Sequence, residues 1–272
     1  MKPILKLLVN ASLSVAALLG LASPTQAALL ARFALDEGAI DPTTNTTYSA
    51  DGAFNGTLSG ATPPSWLTSD LPPLLVAQSG TTAAITNSSL GGYVLTTFWG
   101  TNASGASSVL GTNARTVTAW VRIPSVPTAS ASGYIVTYGS DSSIVGGRFS
   151  LRLDTTAGAT LGKIRLEISS GSVVGTNAVI ADNNWHHLAA VCPVNCRMSN
   201  VVLYVDGNAQ QNTTTTPTVL INTVTNVHPV QIGLWPANGN ASTFLGAIDD
   251  VRIYERALSA SEVRSLYNEI PR

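Results

Sequence analysis

The sequence has little charge, few cysteines and no long apolar run beyond its first residues. Only 11% of its 272 residues are Asp, Glu, Lys or Arg, and the formal net charge is −1. A protein that binds nucleic acid needs an excess of Lys and Arg to neutralise phosphates, so this balance argues against nucleic acid as a partner. After residue 27 no apolar stretch approaches the roughly 20 residues of a transmembrane helix. We therefore expect the mature protein not to span a membrane.

The first 27 residues have the pattern of a signal peptide. Lys2 and Lys6 precede a mostly apolar segment at residues 7–21, and the small residue Ala27 follows at a suitable cleavage position. An uncleaved N-terminal anchor is the alternative. The pattern predicts a secreted protein, extracellular or periplasmic, whose mature part is a single domain at residues 28–272.

The two cysteines, Cys192 and Cys196, lie close together in the sequence VCPVNCRM. In an exported protein such a pair predicts a disulfide, and free thiols are the alternative. The spacing matches no structural zinc pattern, and no further cysteine exists to complete one. A bridge between them would close a short loop and clamp a turn between two strands.

Strand patterns recur from residue 29 to residue 254 and predict an all-β protein. Residues 116–123 read TVTAWVRI, while residues 185–191 and 201–205 are apolar on both faces, which is typical of the core strands of a sandwich. Residues 36–73 are rich in Gly, Pro, Thr and Asn and are predicted to form a long irregular excursion. Many short strands with irregular loops favour a two-sheet jelly roll.

Two alternating segments, residues 148–154 and 163–168, predict a hairpin. In both, apolar residues occupy every second position, which is the period of a half-buried strand. The hairpin is therefore expected to have one wet face. The side chains expected on that face are Arg152, Lys163, Arg165 and Glu167.

The segment at residues 244–263, FLGAIDDVRIYERALSASEV, combines a strand, a corner and the start of a capped helix. Ser259 lies three residues before Glu262, which is the spacing of a capping box. The predicted helix covers residues 260–268. Because it is short, it needs packing against another element to be stable.

Taken together, several segments resemble the laminin-G-like jelly roll of the concanavalin A-like lectin/glucanase superfamily. The segments are LLARFALDEG (29–38), FNGTL (54–58), ARTVTAWVRIP (114–124), NNWHHLAAV (183–191), VVLYVDGN (201–208) and GAIDDVRIYERALSASEV (246–263). The resemblance implies an all-β, two-sheet antiparallel jelly-roll sandwich with one short C-terminal helix and a core signature at about residues 114–256. It also implies a secreted, non-catalytic module that binds carbohydrate or an extracellular protein through its loops.

The resemblance further implies a structural calcium ion. Asp249 and Asp250 are adjacent, so in a strand they point to opposite faces, and only one of them can bind the ion together with loop carbonyls and Asp51. The alternative is an ion pair between Asp250 and Arg252. Where the family often has an aspartate before the FNGTL segment, this sequence has Tyr48, and Asp51 is displaced by a few residues.

The sequence contains no recognisable catalytic pattern. Retaining glucanases of this fold carry close carboxylates in an E-x-D-x-(x)-E arrangement on one strand. The glutamates here, Glu37, Glu167, Glu255, Glu262 and Glu269, form no such cluster. A G-x-S-x-G elbow, an H-E-x-x-H motif and a P-loop are also absent. We therefore expect no enzyme activity; the alternative functions are a structural or adhesive cell-surface protein and, second, a divergent glycoside hydrolase.

Two tryptophans are candidate ligand-binding residues. A sugar site needs an exposed aromatic platform beside polar groups, and Trp99 and Trp235 lie in surroundings rich in Ser, Thr, Asn and Gly. Trp120 and Trp185 lie inside strand motifs and are predicted to be core residues. For Trp99 the alternative is a ring packed beneath a loop.

Overall fold

The structure is a computed structural model. It describes residues 29–37, 46–48, 53–79, 81–89, 91–102, 104–105, 108–126, 133–140, 144–224, 228–235 and 243–268. The predicted signal peptide and Asp51 lie outside the described residues.

Strands make up nearly half of the described chain. They are β1 (Leu29–Phe33), β2 (Thr46–Tyr48), β3 (Asn55–Gly60), β4 (Ser65–Leu67), β5 (Ala84–Asn87), β6 (Gly92–Thr96), β7 (Arg115–Arg122), β8 (Tyr134–Gly139), β9 (Arg148–Leu153), β10 (Ile164–Ile168), β11 (Gly171–Gly175), β12 (Trp185–Cys192), β13 (Val202–Val205), β14 (Asn208–Ala209), β15 (Asn212–Thr215), β16 (His228–Ile232) and β17 (Gly246–Tyr254). The helices are α1 (Pro73–Ser79) and α2 (Ala260–Asn268), with a 3-10 turn at Met198–Asn200. Neither α1 nor α2, the helices of the described chain, has the length and apolar character needed to cross a membrane.

The strands form two antiparallel sheets that pack face to face. The first sheet has the order β14-β13-β12-β7-β17-β5-β4, with β1 also paired to β17. The second has the order β15-β11-β10-β9-β8-β16-β6-β3-β2. Side chains alternate along each strand, so Val117 and Val121 of β7 join the central core while Trp120 faces away from it. The predicted all-β, two-sheet jelly-roll sandwich is confirmed.

The C-terminal helix α2 covers the outer face of the first sheet. Its cap is the predicted one: the N–H of Ser259 donates to Glu262 at 2.8 Å, and the N–H of Glu262 donates to the Ser259 hydroxyl at 3.3 Å. Val263 and Leu266 pack on outward-facing residues of β12 and β13 and form a second apolar cluster with them. The ring of Tyr267 stacks on Trp120 with 5.7 Å between centroids.

Both strand tryptophans differ in detail from the prediction of core residues. Trp120 is buried, but beneath α2 rather than between the sheets. Trp185 is only half-buried, and its indole N–H donates to the carbonyl of Asp70 at 2.7 Å. Strand alternation explains both, because each faces away from the central core.

The predicted irregular excursion at residues 36–73 is partly wrong, since it contains β2, β3 and β4 and leads into α1. In β3, NGTLSG, Leu58 is the one large apolar residue, and it enters the core because the strand pairs with β6. Such a strand has little sequence pattern of its own, so its formation depends on pairing with β6. Helix α1 begins at Pro73, a position where the missing N–H costs nothing.

Candidate functional site

A row of polar residues crosses the outer face of the second sheet. Gln231 on β16 pairs with Thr137 on β8, Thr137 with Ser150 on β9, and Ser150 with Glu167 on β10. The apolar residues that precede and follow them in the strands fill the core, so the row itself faces outward. Gln231, Thr137 and Ser150 are nevertheless buried. Other side chains therefore cover this part of the face.

Three arginines surround the carboxylate of Glu167 in this row. Arg148 donates to one of its oxygens at 2.5 Å, and Arg152 and Arg165 bind the other at 3.0 and 2.9 Å. Arg165 also binds Asp154 at 3.0 Å. We call these five residues, with Tyr134 and Trp235, the arginine face.

Two aromatic rings complete the arginine face. The guanidinium carbon of Arg148 lies 4.1 Å from the centre of the Trp235 ring, a cation–π stack. The rings of Trp235 and Tyr134 lie 5.4 Å apart. Arg152 lies over the Tyr134 ring at 4.3 Å and donates to its hydroxyl at 2.8 Å. Trp235, which is half-buried, is thus held in place by Arg148 and Tyr134.

Burial and neighbouring charges set the protonation of two groups here. Burial, reinforced by the charge of Glu167, raises the pKa of Tyr134 to about 12, so the phenol keeps its proton. At Asp154 burial acts to raise the pKa, but hydrogen bonds from Thr160 and Thr156 outweigh it and hold the pKa below its usual value. The face therefore presents a neutral phenol beside fixed charges.

Several buried polar atoms on this face have no hydrogen-bond partner within the described parts of the chain. They are Nε and Nη1 of Arg148, Nε of Arg165, Nε1 of Trp235, Oγ1 of Thr137, Oγ of Ser150 and Oε1 of Gln231. Buried polar groups in folded proteins are as a rule hydrogen-bonded. Their concentration on one face makes it the best candidate for a site that binds a polar molecule.

The predicted wet face of the hairpin is only partly correct. The register is that of a hairpin, with Ile164 opposite Leu153 and Glu167 opposite Ser150. The face is not open to water, however, because the arginine side chains pair with Glu167 and Arg152 is buried. Lys163 does not join them; its ammonium donates to the carbonyl of Thr176 at 2.5 Å. Alternation predicts which face a residue occupies, but not whether that face is covered.

The structure separates the two candidate tryptophans. Trp235 belongs to the arginine face, whereas Trp99 lies after the end of β6 and is 45% exposed. Within the described residues, none of the ion pairs or ring contacts of the arginine face involves Trp99. The alternative of a ring packed beneath a loop does not fit this exposure.

The sequence-based prediction missed Arg148 and Tyr134 as members of the arginine face, and Gln231 in the polar row beside it. Arg148 and Arg152 are four residues apart in RFSLRL, so both lie on the outer face of one strand. Two arginines on the polar side of an otherwise apolar strand were the available signal. Trp235 and Arg148 meet only through the tertiary fold.

The two predicted calcium ligands of β17 have different surroundings. Both oxygens of Asp250 are held by arginines, Oδ1 by Arg32 at 2.6 Å and Oδ2 by Arg252 at 2.5 Å, so the ion pair with Arg252 is present. Burial acts to raise the pKa of Asp250, but the two arginines lower it overall. Asp250 therefore does not fit as a metal ligand. It lies at a β-bulge with a φ of 44°.

Asp249 fits a metal ligand better. Its Oδ1 accepts from the N–H of Asp250 at 2.8 Å, while its buried Oδ2 has no partner in the described structure. Burial, with the nearby charges of Asp250 and Asp36, raises its pKa well above the usual value, which a cation would reverse. Among the described residues, no three or more His, Cys, Asp or Glu side chains are arranged so that they could hold a metal ion. Calcium at Asp249 with Asp51 stays a prediction.

Cys192 and Cys196 are both buried and are free thiols in this structure. The two thiols lie close enough to shift each other's pKa, and the Cys196 thiol donates to the carbonyl of Arg197 at 3.3 Å. Burial raises the pKa of Cys192. The thiols are thus neighbours, and the disulfide between them stays a prediction.

The adjacent histidines of β12 have opposite electrostatic surroundings. Burial, with the charge of Arg252, lowers the pKa of His187 to about 4. His186 lies between Asp206 at 2.8 Å and Asp182 at 3.1 Å; burial acts to lower its pKa, but these carboxylates raise it overall. His186 is used in ion pairing, and the ring of His187 packs against Trp120 and Tyr267.

A shallow depression of about 560 Å³ lies away from the arginine face, beside α1. Its lining consists of Ser69, Asp70, Leu71, Pro73, Val76 and Ala77. Asp70 is the one ionisable group in that lining, and it already pairs with Arg122. The depression lacks the converging polar groups that give a site specificity.

Comparison with known proteins agrees with this architecture. The laminin G-type family profile described as the concanavalin A-like lectin/glucanases superfamily matches residues 99–264. A comparison with curated protein sequences finds no match.

Solved structures with the same fold include three of different kinds. Domain 4 of AbnA, an extracellular arabinanase from Geobacillus stearothermophilus, in complex with arabinotriose, is 20% identical with a TM-score of 0.56, and the match covers 88% of this chain and 98% of that one. The binding domain of Paraclostridial Mosquitocidal Protein 1 is 15% identical with a TM-score of 0.59, covering 89% of this chain and 52% of that one. Trypanosoma rangeli sialidase in complex with sialic acid is 14% identical with a TM-score of 0.56, and the match covers 89% of this chain and 33% of that one. The chain thus spans about half of the second protein and a third of the third, and the likeness is one of fold.

Proposed function

The chain belongs to the concanavalin A-like lectin/glucanases superfamily, and from this premise we propose that it is a non-catalytic module that binds carbohydrate on the arginine face. One observation carries the proposal: a half-buried tryptophan, Trp235, lies beside a set of buried polar atoms that have no partner among the described residues. A sugar ring offers C–H groups that pack on an aromatic ring and hydroxyls that fill such hydrogen bonds.

The fold relatives support a binding role. Domain 4 of the arabinanase matches over nearly its whole length and is described in complex with arabinotriose, and the mosquitocidal protein match is a binding domain. At such low identity they support the use of this fold for binding, not a particular ligand. An extracellular protein partner is the other outcome that the test below can reveal.

The carboxylates of the arginine face support the absence of catalysis. A glycosidase needs one carboxyl group to protonate the leaving oxygen and a second to act as nucleophile or base. Here Glu167 is held by three guanidinium groups, and Asp154 by Arg165 and the N–H of Thr156. Release of reducing sugar from a β-glucan panel would instead establish the hydrolase alternative.

We propose that the protein is exported and that residues 28–272 form its mature domain. The basic start of the chain, the apolar segment at residues 7–21 and the small residue Ala27 support this. N-terminal sequencing of protein recovered outside the cytoplasm tests it: a mature chain that begins at Ala28 is the expected result, and an intact Met1 in a membrane fraction would indicate an anchor.

Binding is tested by titration calorimetry of the purified protein with a panel of oligosaccharides that includes arabinotriose. We expect at least one ligand whose affinity falls about tenfold or more in Trp235→Ala, because stacking on the ring is lost. Trp99→Ala is the matched control and is expected to bind normally.

The control also separates the alternatives. If Trp99→Ala loses binding and Trp235→Ala retains it, the site lies in the loops instead. If no glycan binds and the protein stays in the cell-envelope fraction, the structural or adhesive alternative is supported.

A further inference from the structure

We infer that the arginine face is built for an acidic sugar, one that carries a carboxylate or sulfate group, with Arg148 as the residue that binds the anion. This inference rests on the proposed function, because it names the class of ligand for the same face. Two features of that face support it: an excess of hydrogen-bond donors and an excess of positive charge. A third argument is the contrast between Arg148 and a structural arginine elsewhere in the molecule.

The atoms without partners are mainly donors. Four of them are nitrogens that can only donate: Nε and Nη1 of Arg148, Nε of Arg165 and Nε1 of Trp235. Against these stands one oxygen that can only accept, Oε1 of Gln231. The hydroxyls of Thr137 and Ser150 can do either. A ligand that satisfies this face must therefore be rich in acceptors, as a carboxylate or sulfate is.

The charges of the face do not cancel. Arg148, Arg152 and Arg165 face Glu167 and Asp154, which leaves one positive charge on this part of a chain whose formal net charge is −1. A buried charge without a counter-charge is costly, and an anion placed there offsets that cost. Lys163 is also basic, so including it in the count would make the net charge of this region more positive.

Arg115 shows how the same protein treats a buried arginine that has only a structural role. Its Nε donates to Asn113 at 3.0 Å, its Nη1 to the Thr223 hydroxyl at 2.7 Å, and its Nη2 to the Gly111 carbonyl at 2.7 Å. Every nitrogen of Arg115 has a partner. Arg148 is buried to a similar degree, at 4% exposure against 1%, yet only its Nη2 is satisfied within the described residues. Arg148 is therefore not explained by structure alone.

Trp235 lies against the guanidinium that carries two of these donors. The free nitrogens of Arg148 are covered, and the indole ring stacks on the guanidinium at 4.1 Å. Because Nε and Nη1 are buried, an anion reaches them only when the side chains that cover them move. The indole then offers its N–H and its face to the sugar, so ligand binding is expected to change the fluorescence of Trp235.

The experiment compares two ligands that differ mainly in charge, together with a third that carries a different anion. Titration calorimetry uses trigalacturonic acid, its methyl ester, which keeps the rings and removes the charge, and a sulfated galactan trisaccharide. We expect the acid to bind at least about tenfold more tightly than the ester, a charge-assisted hydrogen bond being roughly 1.4 kcal/mol or more stronger than a neutral one. Binding of the sulfated trimer but not the acid would specify sulfate as the anion.

Two variants and one control test the role of Arg148. Arg148→Gln should lose the preference for acid over ester, and Arg148→Lys should recover part of it by restoring the charge. Lys163→Gln removes a charge of the same sign from the same hairpin and should leave the preference within about twofold, because that ammonium binds Thr176. If Arg148→Gln fails to fold, the ratio of the affinities for acid and ester is compared between the unaltered protein and Arg148→Lys. A smaller ratio in Arg148→Lys supports the role of Arg148, and an equal ratio contradicts it.

The outcomes separate this inference from the proposed function. If the ester binds as well as the acid, or Arg148→Gln leaves their ratio unchanged, the acidic ligand class is wrong while carbohydrate binding survives. If neither the acid, the ester, the sulfated trimer nor any neutral glycan binds, both are wrong. Both are supported if three results are found together. The acid binds more tightly than the ester, Arg148→Gln loses this preference, and ligand binding changes the fluorescence of the unaltered protein but not that of Trp235→Phe.

Discussion

The two sheets of this sandwich have outer faces that are covered in opposite ways. The first sheet lies beneath α2, where burial disfavours charge: it lowers the pKa of His187 and raises that of Asp249, while Asp250 binds two arginines. The second sheet has no such helix in the described chain, and its outer face is covered by its own arginines around Glu167.

The difference teaches how one fold separates stability from recognition. A face covered by apolar side chains gains from burial and tolerates few charges. A face that keeps several charges close together gains little net stability from them, so its charges are better explained by a ligand. We therefore expect changes on the helix-covered face to alter the free energy of unfolding, and changes on the arginine face to alter binding.

Calcium would produce the largest effect, and on the helix-covered side. At a concentration about a thousandfold above its Kd, an ion that binds only the native state adds about 4 kcal/mol to the free energy of unfolding. We expect thermal unfolding to shift upward with calcium and to return with chelator, and Asp249→Asn to abolish the shift.

Two controls sharpen the calcium prediction. In chelator, Asp249→Asn should be at least as stable as the unaltered protein, because it removes a carboxylate that burial disfavours. Asp250→Asn, which breaks the pairs with Arg32 and Arg252, should lower stability equally with and without calcium. A shift that persists in Asp249→Asn would contradict the placement of the ion.

Leu266→Ala tests the apolar cover directly. Leu266 is 8% exposed in the cluster beneath α2, and its truncation should cost about 3 kcal/mol through lost burial and a cavity. Leu95→Ala, at a 40% exposed leucine on the outer face of the second sheet, should cost less than about 0.5 kcal/mol. Urea unfolding measures both; equal costs would remove the contrast between the faces.

His187 should make the helix-covered face sensitive to acid. Its pKa is 6.5 when unfolded and about 4 when folded, so between these values the unfolded state binds more protons. Stability should therefore fall as the pH drops from 6.5 to 4, by on the order of 3 kcal/mol from this group. Unfolding of His187→Phe across this range should show a correspondingly flatter profile.

His186→Gln is the opposite control. Its pKa is raised in the folded state, so its contribution is present below 6.5 and is lost as the pH rises through the folded pKa. Its removal should lower stability at acid pH and have less effect above neutrality. If both variants change the profile in the same direction, the assignment of the two rings is wrong.

The cysteine pair should have the smallest of these effects, since it lies in neither outer face. If the Cys192–Cys196 disulfide forms in the exported protein, its mass is lower by two hydrogen atoms and reduction lowers the free energy of unfolding by about 2 kcal/mol, as for a short loop. The double variant Cys192→Ala/Cys196→Ala should be indifferent to reductant. Two free thiols by alkylation would disprove the bridge.

Local patterns predicted much of the fold. The Ser259–Glu262 cap, the strand at residues 116–123 and the hairpin of β9 with β10 each depend on residues close in sequence. The alternation argument for Asp249 and Asp250 did not anticipate the β-bulge at these residues, and Asp250 is occupied by Arg32 and Arg252 instead. β3 and β4 could not be predicted in the same way, because their pairing with β6 and β5 supplies what their sequences lack.

The candidate site was harder to predict because its parts are far apart in sequence. Trp235 was selected from its surroundings, but its partner Arg148 is on another strand, and nothing local joins the two. Arg152 and Glu167 were placed on the correct face with the wrong exposure, since sequence alternation is silent about long side chains that lie flat over a sheet. The proposed binding site is a property of the assembled face.

The pairing of β1 with β17 also constrains how the molecule reaches its folded state. Phe33 lies opposite Val251, and β17 pairs in addition with β7 and β5. As the chain leaves the ribosome from its N-terminus, the first sheet lacks one of its central strands until residues 246–254 emerge. Such distant pairing makes folding slow. The edges of the strands synthesised earlier therefore stay unpaired until then. A chain that ends before residue 246 is expected to aggregate rather than to fold without this strand.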